Sequence, residues 1–523
     1  MKFGFLIDHR KCIGCHACSV ACKEEHQVPL GVYRTWVKYV EKGAFPNTRR
    51  HFTVLRCNHC EDAPCVTICP VAALYKRSDG IVDFDTDVCI GCKACMQACP
   101  YDALYIDPRT NTAAKCNFCA HRVEAGLQPS CQIVCPTQAI VSGDLDDPTS
   151  FIANLNAREP IRVRKPEKGT KPQLSYINAD ESSLTPGATR QPQGFGMWSQ
   201  ISNPHITDLS MPLLSSTVTE ASGLDLLQDL SAEAGRTVYN VGHAIPWGKN
   251  VSLYIWTKSL ATGTFLLSAI GVGTGMVQDN PLLTWGALVL ALLFLGLTSA
   301  LLILDLKRPE RFYTILLRPQ WRSWLTIGSY ILLAYGGLLG LSFLAALFGA
   351  TSFRHFLLWP GGLGAVLAAI YTGFLFAQAK GRDFWLSPAL PAHLLVHALV
   401  AGAALLAIFG VVIPSNPETK SLLHDVVLWG LVVNLLMTLV GELWMPHGTQ
   451  DAAQAARLIL RGIYSRFFWG LVVVLGHVVP ILLLALIPGA PIGVTLVAGL
   501  CALTGLLVFE HLWLMAGQSV PLS

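Results

Sequence analysis

The segment KCIGCHACSVAC, residues 11–22, holds four cysteines separated by two, two and three residues. The chain has 17 cysteines, and all but Cys501 lie between Cys12 and Cys135. Such a concentration of thiols indicates either a disulfide framework or a metal-binding one. No apolar or twin-arginine export segment precedes Cys12, so we expect the thiols to remain reduced and to bind metal.

The clustered cysteines fall into four groups of four. Group one is Cys12, Cys15, Cys18 and Cys22; group two is Cys57, Cys60, Cys65 and Cys69; group three is Cys89, Cys92, Cys95 and Cys99; group four is Cys116, Cys119, Cys131 and Cys135. Groups one and three have the C-x2-C-x2-C-x3-C spacing of bacterial ferredoxins, and proline follows the last cysteine of groups two, three and four. Zinc would use two C-x2-C pairs and leave the third closely spaced cysteine without a role. We therefore predict four [4Fe–4S] clusters, with zinc or disulfides as the alternatives.

The spacing has a physical reason. Three thiolates on one tight loop can reach three irons of a cubane, because turns at the Ile-Gly pairs bring them to one side. The fourth cysteine, on a short helix, points away and ligates the neighbouring cluster.

Charge divides the chain into unlike parts. Residues 1–250 hold 25 of the 38 Lys+Arg and 25 of the 34 Asp+Glu, which leaves 13 and 9 for residues 251–523. The first part has the composition of a soluble domain and the second that of a membrane domain. A net charge of +4 is too small to indicate nucleic acid.

These patterns predict three regions. Residues 1–145 form the ferredoxin-like domain, and residues 146–245, rich in Pro, Ser and Gly, form an extended polar arm with little core. Residues 246–523 form an all-α bundle of eight transmembrane helices, so the fold class is an α+β tandem ferredoxin-like domain fused to that bundle. We place the helices at 251–275, 281–306, 324–348, 356–378, 389–413, 422–444, 467–487 and 491–515.

Orientation follows from the basic residues. We call side A the side of the membrane from which the first helix starts. The side-A loops hold ten basic residues, which are Lys307, Arg308, Arg311, Arg318, Arg322, Lys380, Arg382, Arg457, Arg461 and Arg466. The side-B loops hold Arg354 and Lys420. The positive-inside rule therefore predicts a multi-pass protein of the inner (plasma) membrane with its iron–sulfur domain in the cytoplasm.

The order of the sixteen cysteines, including the eleven residues between Cys119 and Cys131, resembles the electron-transfer subunit of dimethyl sulfoxide and polysulfide reductases. Those subunits belong to the complex iron–sulfur molybdoenzymes. The resemblance implies four ligand sets. Set 1 would be Cys12, Cys15, Cys18 and Cys135; set 2 would be Cys22, Cys116, Cys119 and Cys131; set 3 would be Cys57, Cys60, Cys65 and Cys99; set 4 would be Cys69, Cys89, Cys92 and Cys95. It also implies a separate molybdopterin (Mo or W) catalytic subunit.

The segments WGKNVSLYIWTKSLATGTF at the first helix and LDLKRPERFYTILLRPQWRSW, residues 304–324, resemble the NrfD and polysulfide-reductase membrane anchors. That resemblance implies a haem-free membrane domain that exchanges electrons with menaquinone or ubiquinone. Most relatives keep the two parts as separate chains, whereas here they are fused. Well-known relatives work outside the membrane; the cytoplasmic sulfite dehydrogenases fit the predicted orientation better.

Polar residues inside apolar helices are costly and are candidate functional groups. For the quinone site we select residues near side A, which are His243, Trp247, Tyr254, Lys258, Asp305, His393, His397, Glu442 and Glu510. The structural alternative for each is an interhelical hydrogen bond or a salt bridge, such as Asp305 with Arg308. His393 and His397 stand at i and i+4 and raise the alternative of haem, but haem usually takes ligands from two helices, so none is expected.

The leading hypothesis is an electron-transfer and membrane subunit that links a molybdopterin enzyme to the quinone pool. Sulfite dehydrogenation in the cytoplasm is the preferred example, and a polysulfide, tetrathionate or dimethyl sulfoxide type of reductase is an alternative. Two further alternatives are a redox-driven ion-translocating module and a pure membrane anchor without a quinone site.

Overall fold

The computed structural model describes residues 1–43, 46–190, 235–487 and 492–523. It divides into two compact units. The cysteine-rich unit is Met1–Pro246 with Pro521–Ser523, and the membrane unit is Trp247–Val520.

The cysteine-rich unit is built on short strands. Its described strands are β1 Phe3–Asp8, β2 Thr35–Lys42, β3 Arg49–Arg56, β4 Leu74–Lys76, β5 Val82–Phe84, β6 Leu104–Ile106, β7 Ala113–Lys115, β8 Ile140–Asp144, β9 Ile161–Arg162, β10 Leu174–Ile177, β11 Thr189–Arg190 and β12 Gly235–Tyr239. They form one sheet in the order β8-β1-β10-β9, a second in the order β11-β12-β2-β3, and two hairpins, β4-β5 and β6-β7. The cysteine loops lie between these strands.

The helices of this unit are short, and several carry cysteines. Those in the described residues are α1 Ala17–Glu25, α2 Pro64–Ile68, α3 Ala94–Ala98, α4 Ala120–Glu124, α5 Ser130–Ile133, α6 Phe151–Arg158 and α7 Glu181–Leu184. Cys18 and Cys22 lie on α1 and are buried, as is Cys131 on α5. The predicted position of a fourth cysteine on a short helix is therefore seen for Cys22.

The segment predicted as a polar arm differs from that expectation where it is described. Strand β10 pairs in parallel with β1, with Phe5 opposite Leu174, and β12 pairs antiparallel with β2. Both strands complete sheets begun near the start of the chain, so residues 146–190 and 235–245 share the core of the first domain. The physical reason is that strands of four or five residues set among turn residues leave no periodic signal, and their partners lie far away in the sequence. The Pro- and Ser-rich residues 191–234 lie outside the described residues.

The membrane unit contains eight apolar helices of spanning length among the described residues, as predicted. Spans 1 to 8 are Lys249–Gly273, Leu282–Leu304, Trp324–Leu347, Thr351–Gln378, Leu390–Phe409, Pro417–Trp444, Ser465–Leu486 and Gly493–Ser519. An eleven-residue helix, Gln450–Leu460, connects spans 6 and 7. The predicted fold class, a mixed α+β iron–sulfur domain joined to an eight-helix bundle, is confirmed.

Span 1 lies in the middle of the bundle and is its most buried helix. It is 83% buried over its apolar window, whereas span 3 is 28% buried. Glycine lets span 1 approach span 5, because a Cβ on Gly263 would overlap the carbonyl oxygen of Ala398. A Cβ on Gly402 would likewise overlap the backbone of Gly263. This close approach fixes the polar side chains of the two spans against each other.

Two spans depart from regular α-helix near their buried polar groups. Span 6 is π-helical over Met437–Trp444, which contains Glu442, and span 7 is π-helical over Phe468–Val478, which contains His477. π-Helical turns are rare and often occur at functional sites.

Candidate iron–sulfur and membrane redox sites

The cysteine loops take their shape from residues with positive φ. Gly14 has φ 71° and Gly91 has φ 68°, which are the turns expected at the Ile-Gly pairs of groups one and three. The residues after Cys15 and Cys92, His16 and Lys93, have φ 60° and 64° although they carry side chains. In group four Phe118 and Cys119 take the same left-handed conformation. Left-handed backbone at non-glycine residues costs energy and persists where the surroundings hold it.

The structure gathers the thiols of set 2 from distant parts of the chain. Burial raises the pKa of the Cys22 thiol, and its neighbours Cys116, Cys131 and Cys119 raise it further. Cys22 and Cys119 are 97 positions apart, so this is a tertiary arrangement. The assignment of these four thiols to one cluster stays a prediction of the family resemblance.

The thiols of set 1 surround a cavity. Cys12, Cys15, Cys18 and Cys135 line it, together with Val37 and Val54 of strands β2 and β3, and its empty volume is about 330 Å³. Burial raises the pKa of the Cys12 thiol, with a further increase from Cys135 and Cys15.

Sets 3 and 4 form in the same way. Cys69, Cys89, Cys92 and Cys95 line a second cavity of about 380 Å³. In set 3 the Cys65 thiol is fully buried, which raises its pKa, and the nearby thiols Cys99, Cys57 and Cys60 add to this increase.

The residues present fit iron–sulfur clusters. Among the described residues no three His, Cys, Asp or Glu side chains are close enough together to hold a single metal ion. The cysteines of sets 1 and 4 instead stand around the walls of cavities that their thiols share. A multi-iron cluster, whose ligands bind different irons, suits that arrangement better than one zinc ion, whose ligands converge on a point.

The four sets of cysteines differ in their solvent exposure. Cys15 is exposed, Cys12 and Cys135 are partly exposed, and every cysteine of sets 2 and 3 is buried. Apolar side chains beside set 1 are exposed as well: Ile13 is 56% and Val20 is 65% exposed. Set 1 is therefore the position in this unit that lies nearest to solvent.

Sequence reasoning missed two buried cations and a histidine beside these sets. Nη1 of Arg56 donates to Sγ of Cys131 at 2.9 Å, and Nζ of Lys115 donates to the carbonyl of Cys116 at 3.0 Å. Both side chains are fully buried. Nε2 of His26 lies 3.2 Å from Sγ of Cys119. The available signal was position, because Arg56 and Lys115 each immediately precede the first cysteine of a group.

In the membrane unit, two buried histidines of span 5 each face a carboxylate. Nδ1 of His393 lies 3.7 Å from Oε1 of Glu442 on span 6, and Nδ1 of His397 lies 3.3 Å from Oε1 of Glu510 on span 8. The two imidazole rings are 4.6 Å apart and nearly perpendicular. All four side chains are buried, so three spans contribute to one polar cluster inside the bundle.

Further hydroxyls extend this cluster. Oγ1 of Thr438 lies 3.3 Å from Nε2 of His393, and the Ser387 hydroxyl donates to Glu442 at 3.2 Å. Neither hydroxyl was selected from the sequence, because a single serine or threonine has no distinguishing pattern around it.

Lys258 of span 1 lies near Glu510. It is fully buried, donates from Nζ to the carbonyl of Ala369 at 2.7 Å, and is within electrostatic range of Glu510. Tyr254, one turn earlier, lies within electrostatic range of Glu510 and Asp305. Of the nine residues selected for the quinone site, Lys258 and Tyr254 therefore lie near the four on spans 5, 6 and 8, and Asp305 lies near Tyr254.

Two selected residues stand apart from the cluster. His243 belongs to the cysteine-rich unit, where Nδ1 lies 3.3 Å from Oδ2 of Asp102 and the ring packs on Trp36. His243 lies in that unit because strand β12, just before it, pairs in the sheet with β2. Trp247 belongs to the membrane unit and stacks on Trp385 with 5.6 Å between ring centroids.

A second buried pair lies near these histidines, because His477 is within electrostatic range of His393 and His397. Nε2 of His477 in span 7 is 2.8 Å from Oδ1 of Asn434 in span 6. Both residues are fully buried.

The fold and the sites define a multi-pass membrane protein that carries an iron–sulfur electron-transfer domain. Residues 48–145 match the family model for a 4Fe-4S dicluster domain, and residues 237–521 match the model for polysulphide reductase, NrfD. The second match covers more than half of the chain, so the protein belongs to the polysulphide reductase NrfD family.

Curated relatives match about a third of the chain. A tetrathionate reductase subunit of Salmonella typhimurium is 45% identical over 189 residues, which cover 35% of this chain and 76% of that protein. A polysulfide reductase component of Wolinella succinogenes is 44% identical over 181 residues, which cover 34% of this chain and 94% of that protein. Protein NrfC of Escherichia coli K12 is 43% identical over 180 residues, which cover 34% and 81%. Over about a third of its length the chain is thus similar to subunits of reductase complexes, some of which are named iron–sulfur subunits.

Proposed function

We propose that this chain is the combined iron–sulfur and membrane subunit of a quinone-linked molybdenum or tungsten oxidoreductase. The observation that carries the proposal is the presence, in one chain, of four sets of cysteines and a buried acid–histidine cluster within eight membrane spans. Four clusters would supply one-electron transfer along the unit, and quinone would supply two-electron chemistry coupled to two protons.

The cysteines would hold the clusters in the four sets given above. Set 1, the most exposed, is the position at which a catalytic partner would exchange electrons. The exposed Ile13, Val20 and Ile133 beside it are 56%, 65% and 55% exposed, which suits burial against another protein. Depletion of charge at the centre of such a patch is usual for protein interfaces.

The polar cluster of the membrane unit would serve the quinone. Glu442 and Glu510 can hold a proton at a carboxyl oxygen, and His393 and His397 can each accept one at the Nδ1 that faces that carboxyl group. Lys258 can donate to a quinone oxygen in the same region. Burial of the whole cluster excludes bulk water, so proton movement would follow these side chains.

The partner's substrate is proposed to be an inorganic sulfur compound. Two relatives are named as parts of tetrathionate and polysulfide reductases. The ten basic residues on side A against two on side B support a cytoplasmic iron–sulfur domain, and cytoplasmic sulfite dehydrogenation is the specific case we favour.

The test is reconstitution of the chain with its co-purified partner in vesicles containing menaquinone or ubiquinone. We expect sulfur-compound turnover that requires the quinone and is absent from quinone-free vesicles. Iron and acid-labile sulfide, at four of each for every set of cysteines, would be measured on the same sample. Full iron content without quinone-dependent turnover would overturn the quinone link, and a colourless, iron-free chain would overturn the whole proposal.

A second candidate is a redox-driven ion-translocating module. The buried His477–Asn434 pair favours it, because His477 adds a further protonatable position next to the acid–histidine cluster. Proton or sodium uptake into vesicles during turnover distinguishes the two. If turnover causes no more ion uptake than the protons that quinone reduction itself consumes, the ion-translocating candidate is excluded and the first proposal stands.

A further inference from the structure

Arg56 is a buried cation between two sets of cysteines. It ends strand β3 and is fully buried, and its Nη1 donates to Sγ of Cys131 in set 2 at 2.9 Å. Its guanidinium also interacts electrostatically with Cys116 of set 2 and Cys18 of set 1. One side chain therefore faces both sets, with the direct contact to set 2.

No carboxylate compensates this charge in the described part of the chain. Arg56 forms no ion pair with Asp or Glu there, and its Nε and Nη2 have no hydrogen-bond partner among those residues. Its carbon Cζ lies 4.4 Å from the centroid of the Phe5 ring. A buried, unpaired guanidinium is strongly unfavourable, so the structure needs a negative group at this position.

Set 2 has other side-chain nitrogens around it. Lys115, also fully buried, lies beside it, and His26 lies 3.2 Å from Sγ of Cys119. By contrast, one thiol in set 1 and one in set 4 accept hydrogen bonds from backbone N–H groups, those of Ala139 and Ala113. Set 2 therefore combines a direct guanidinium contact with a second buried cation close by.

We propose that Arg56 is a redox-tuning residue, which raises the reduction potential of the cluster held by Cys22, Cys116, Cys119 and Cys131. The inference rests on the proposed function, because it requires that set 2 hold a cluster. Reduction adds one electron and no proton to a cluster that its four thiolates already make negative. A fixed positive charge in a low-dielectric interior stabilises the reduced form more than the oxidised form. Hydrogen bonds to cluster sulfur and net charge are the recognised determinants of such potentials.

The experiment is an EPR-monitored redox titration of the full-length protein in detergent. Three variants are compared with the wild type. Arg56→Gln removes the charge, Arg56→Lys keeps it, and Arg162→Gln removes an exposed charge from strand β9 as the matched control. Iron and sulfide are counted in each sample first.

In Arg56→Gln we expect one cluster to shift to lower potential. At a fixed ambient potential its reduced-to-oxidised ratio should fall at least tenfold, which is 59 mV for one electron. A second cluster should shift less, and Arg56→Lys and Arg162→Gln should each stay within tenfold of the wild type. These results would support the proposal.

An Arg56→Gln protein with full iron content and all ratios within tenfold of the wild type would overturn it. If Arg56→Gln fails to assemble its clusters, the test is made with Arg56→Lys. A reduced-to-oxidised ratio within tenfold of the wild type supports the role of charge. A tenfold fall of that ratio with the clusters intact refutes it. Absence of iron from the wild type would instead refute the proposed function, so the two failures can be told apart.

Discussion

At the scale of single residues, the membrane unit pairs each buried acid with a histidine. Glu442 faces His393 and Glu510 faces His397, and the histidines touch each other. An unpaired carboxylate in this environment would be costly, so the pairing explains how two acids persist inside an apolar bundle. Each acid also remains close to a group that can accept its proton.

Glu442→Gln removes the protonatable group while keeping the side chain's size. We expect quinone-dependent turnover to fall at least tenfold, because a positioned general acid or base contributes about two to four orders of magnitude. Chemical reduction of the clusters by dithionite should be unchanged. Vesicle assays of turnover and EPR of the clusters make the two measurements.

The control is Glu418→Gln, at an exposed position near the start of span 6. It should leave turnover within twofold of the wild type. Equal losses in both variants would contradict a specific role for Glu442.

His9, immediately after β1, makes stability depend on pH. Burial lowers the pKa of its imidazole to about 4, and neither ring nitrogen has a hydrogen-bond partner among the described residues. The unfolded chain therefore binds a proton between pH 6.5 and about 4 that the folded chain does not. Stability must fall as the pH falls through this window, by up to about 3 kcal/mol.

His9→Gln should flatten that part of the pH profile. The thermal unfolding midpoint of the purified chain, followed at steps from about pH 7.5 to about pH 4.5, tests this. Gln128→Asn changes an exposed side chain that has no titratable group, so this control should retain the wild-type slope. An unchanged slope in His9→Gln would show that other groups govern acid stability.

At the scale of elements, the helices could be predicted and several strands could not. All eight spans lie within a few residues of the predicted segments. A run of about twenty apolar residues is stable as a helix across the membrane, so its position can be read from the sequence. Strands β10 and β12 were missed because each is short and pairs with β1 or β2 across more than a hundred residues. The family resemblance predicts the cysteine sets, whereas the contact of Arg56 with Cys131 depends on sheet geometry that spacing does not encode.

Span packing depends on glycine at one crossing. Gly402→Val would place side-chain atoms into the backbone of span 1 at Gly263, so spans 1 and 5 must separate. We expect the free energy of unfolding to fall by about 3 kcal/mol, together with displacement of Lys258 from Glu510. Fluorescence-detected size-exclusion chromatography after heating measures the stability in detergent.

Gly340→Val in span 3 is the matched control, because a Cβ there meets nothing within 4 Å. It should change the midpoint by no more than a few degrees. If both valine variants behaved alike, the close approach of spans 1 and 5 would not be a determinant of stability.

At the scale of the whole molecule, orientation in the membrane is a testable expectation. Reporter fusions after Lys380, on side A, should make green fluorescent protein fluorescent and alkaline phosphatase inactive. Fusions after Lys420, on side B, should give the opposite result. The basic residues predict this pattern by the positive-inside rule, and the reverse pattern would place the iron–sulfur domain outside the cytoplasm.

The sequence predicted the identity of the parts better than their boundaries. Composition separates a polar first half from an apolar second half, so the existence of two units follows from it directly. His243 nevertheless lies in the cysteine-rich unit although it was grouped with the membrane residues, since it is only four residues from Trp247. The boundary between the two units depends on the hydrophobic core in which each neighbouring side chain packs, and composition does not show this.

The left-handed residues of the cysteine loops have a consequence for biogenesis. His16, Lys93, Phe118 and Cys119 hold conformations that an unliganded loop would relax. Insertion of the inorganic cofactors would then be part of the folding of the newly made chain. Chains that lack the cofactors would have flexible cysteine loops that proteases can cleave. Supply of iron and sulfide would in this way set how many copies survive in the cell.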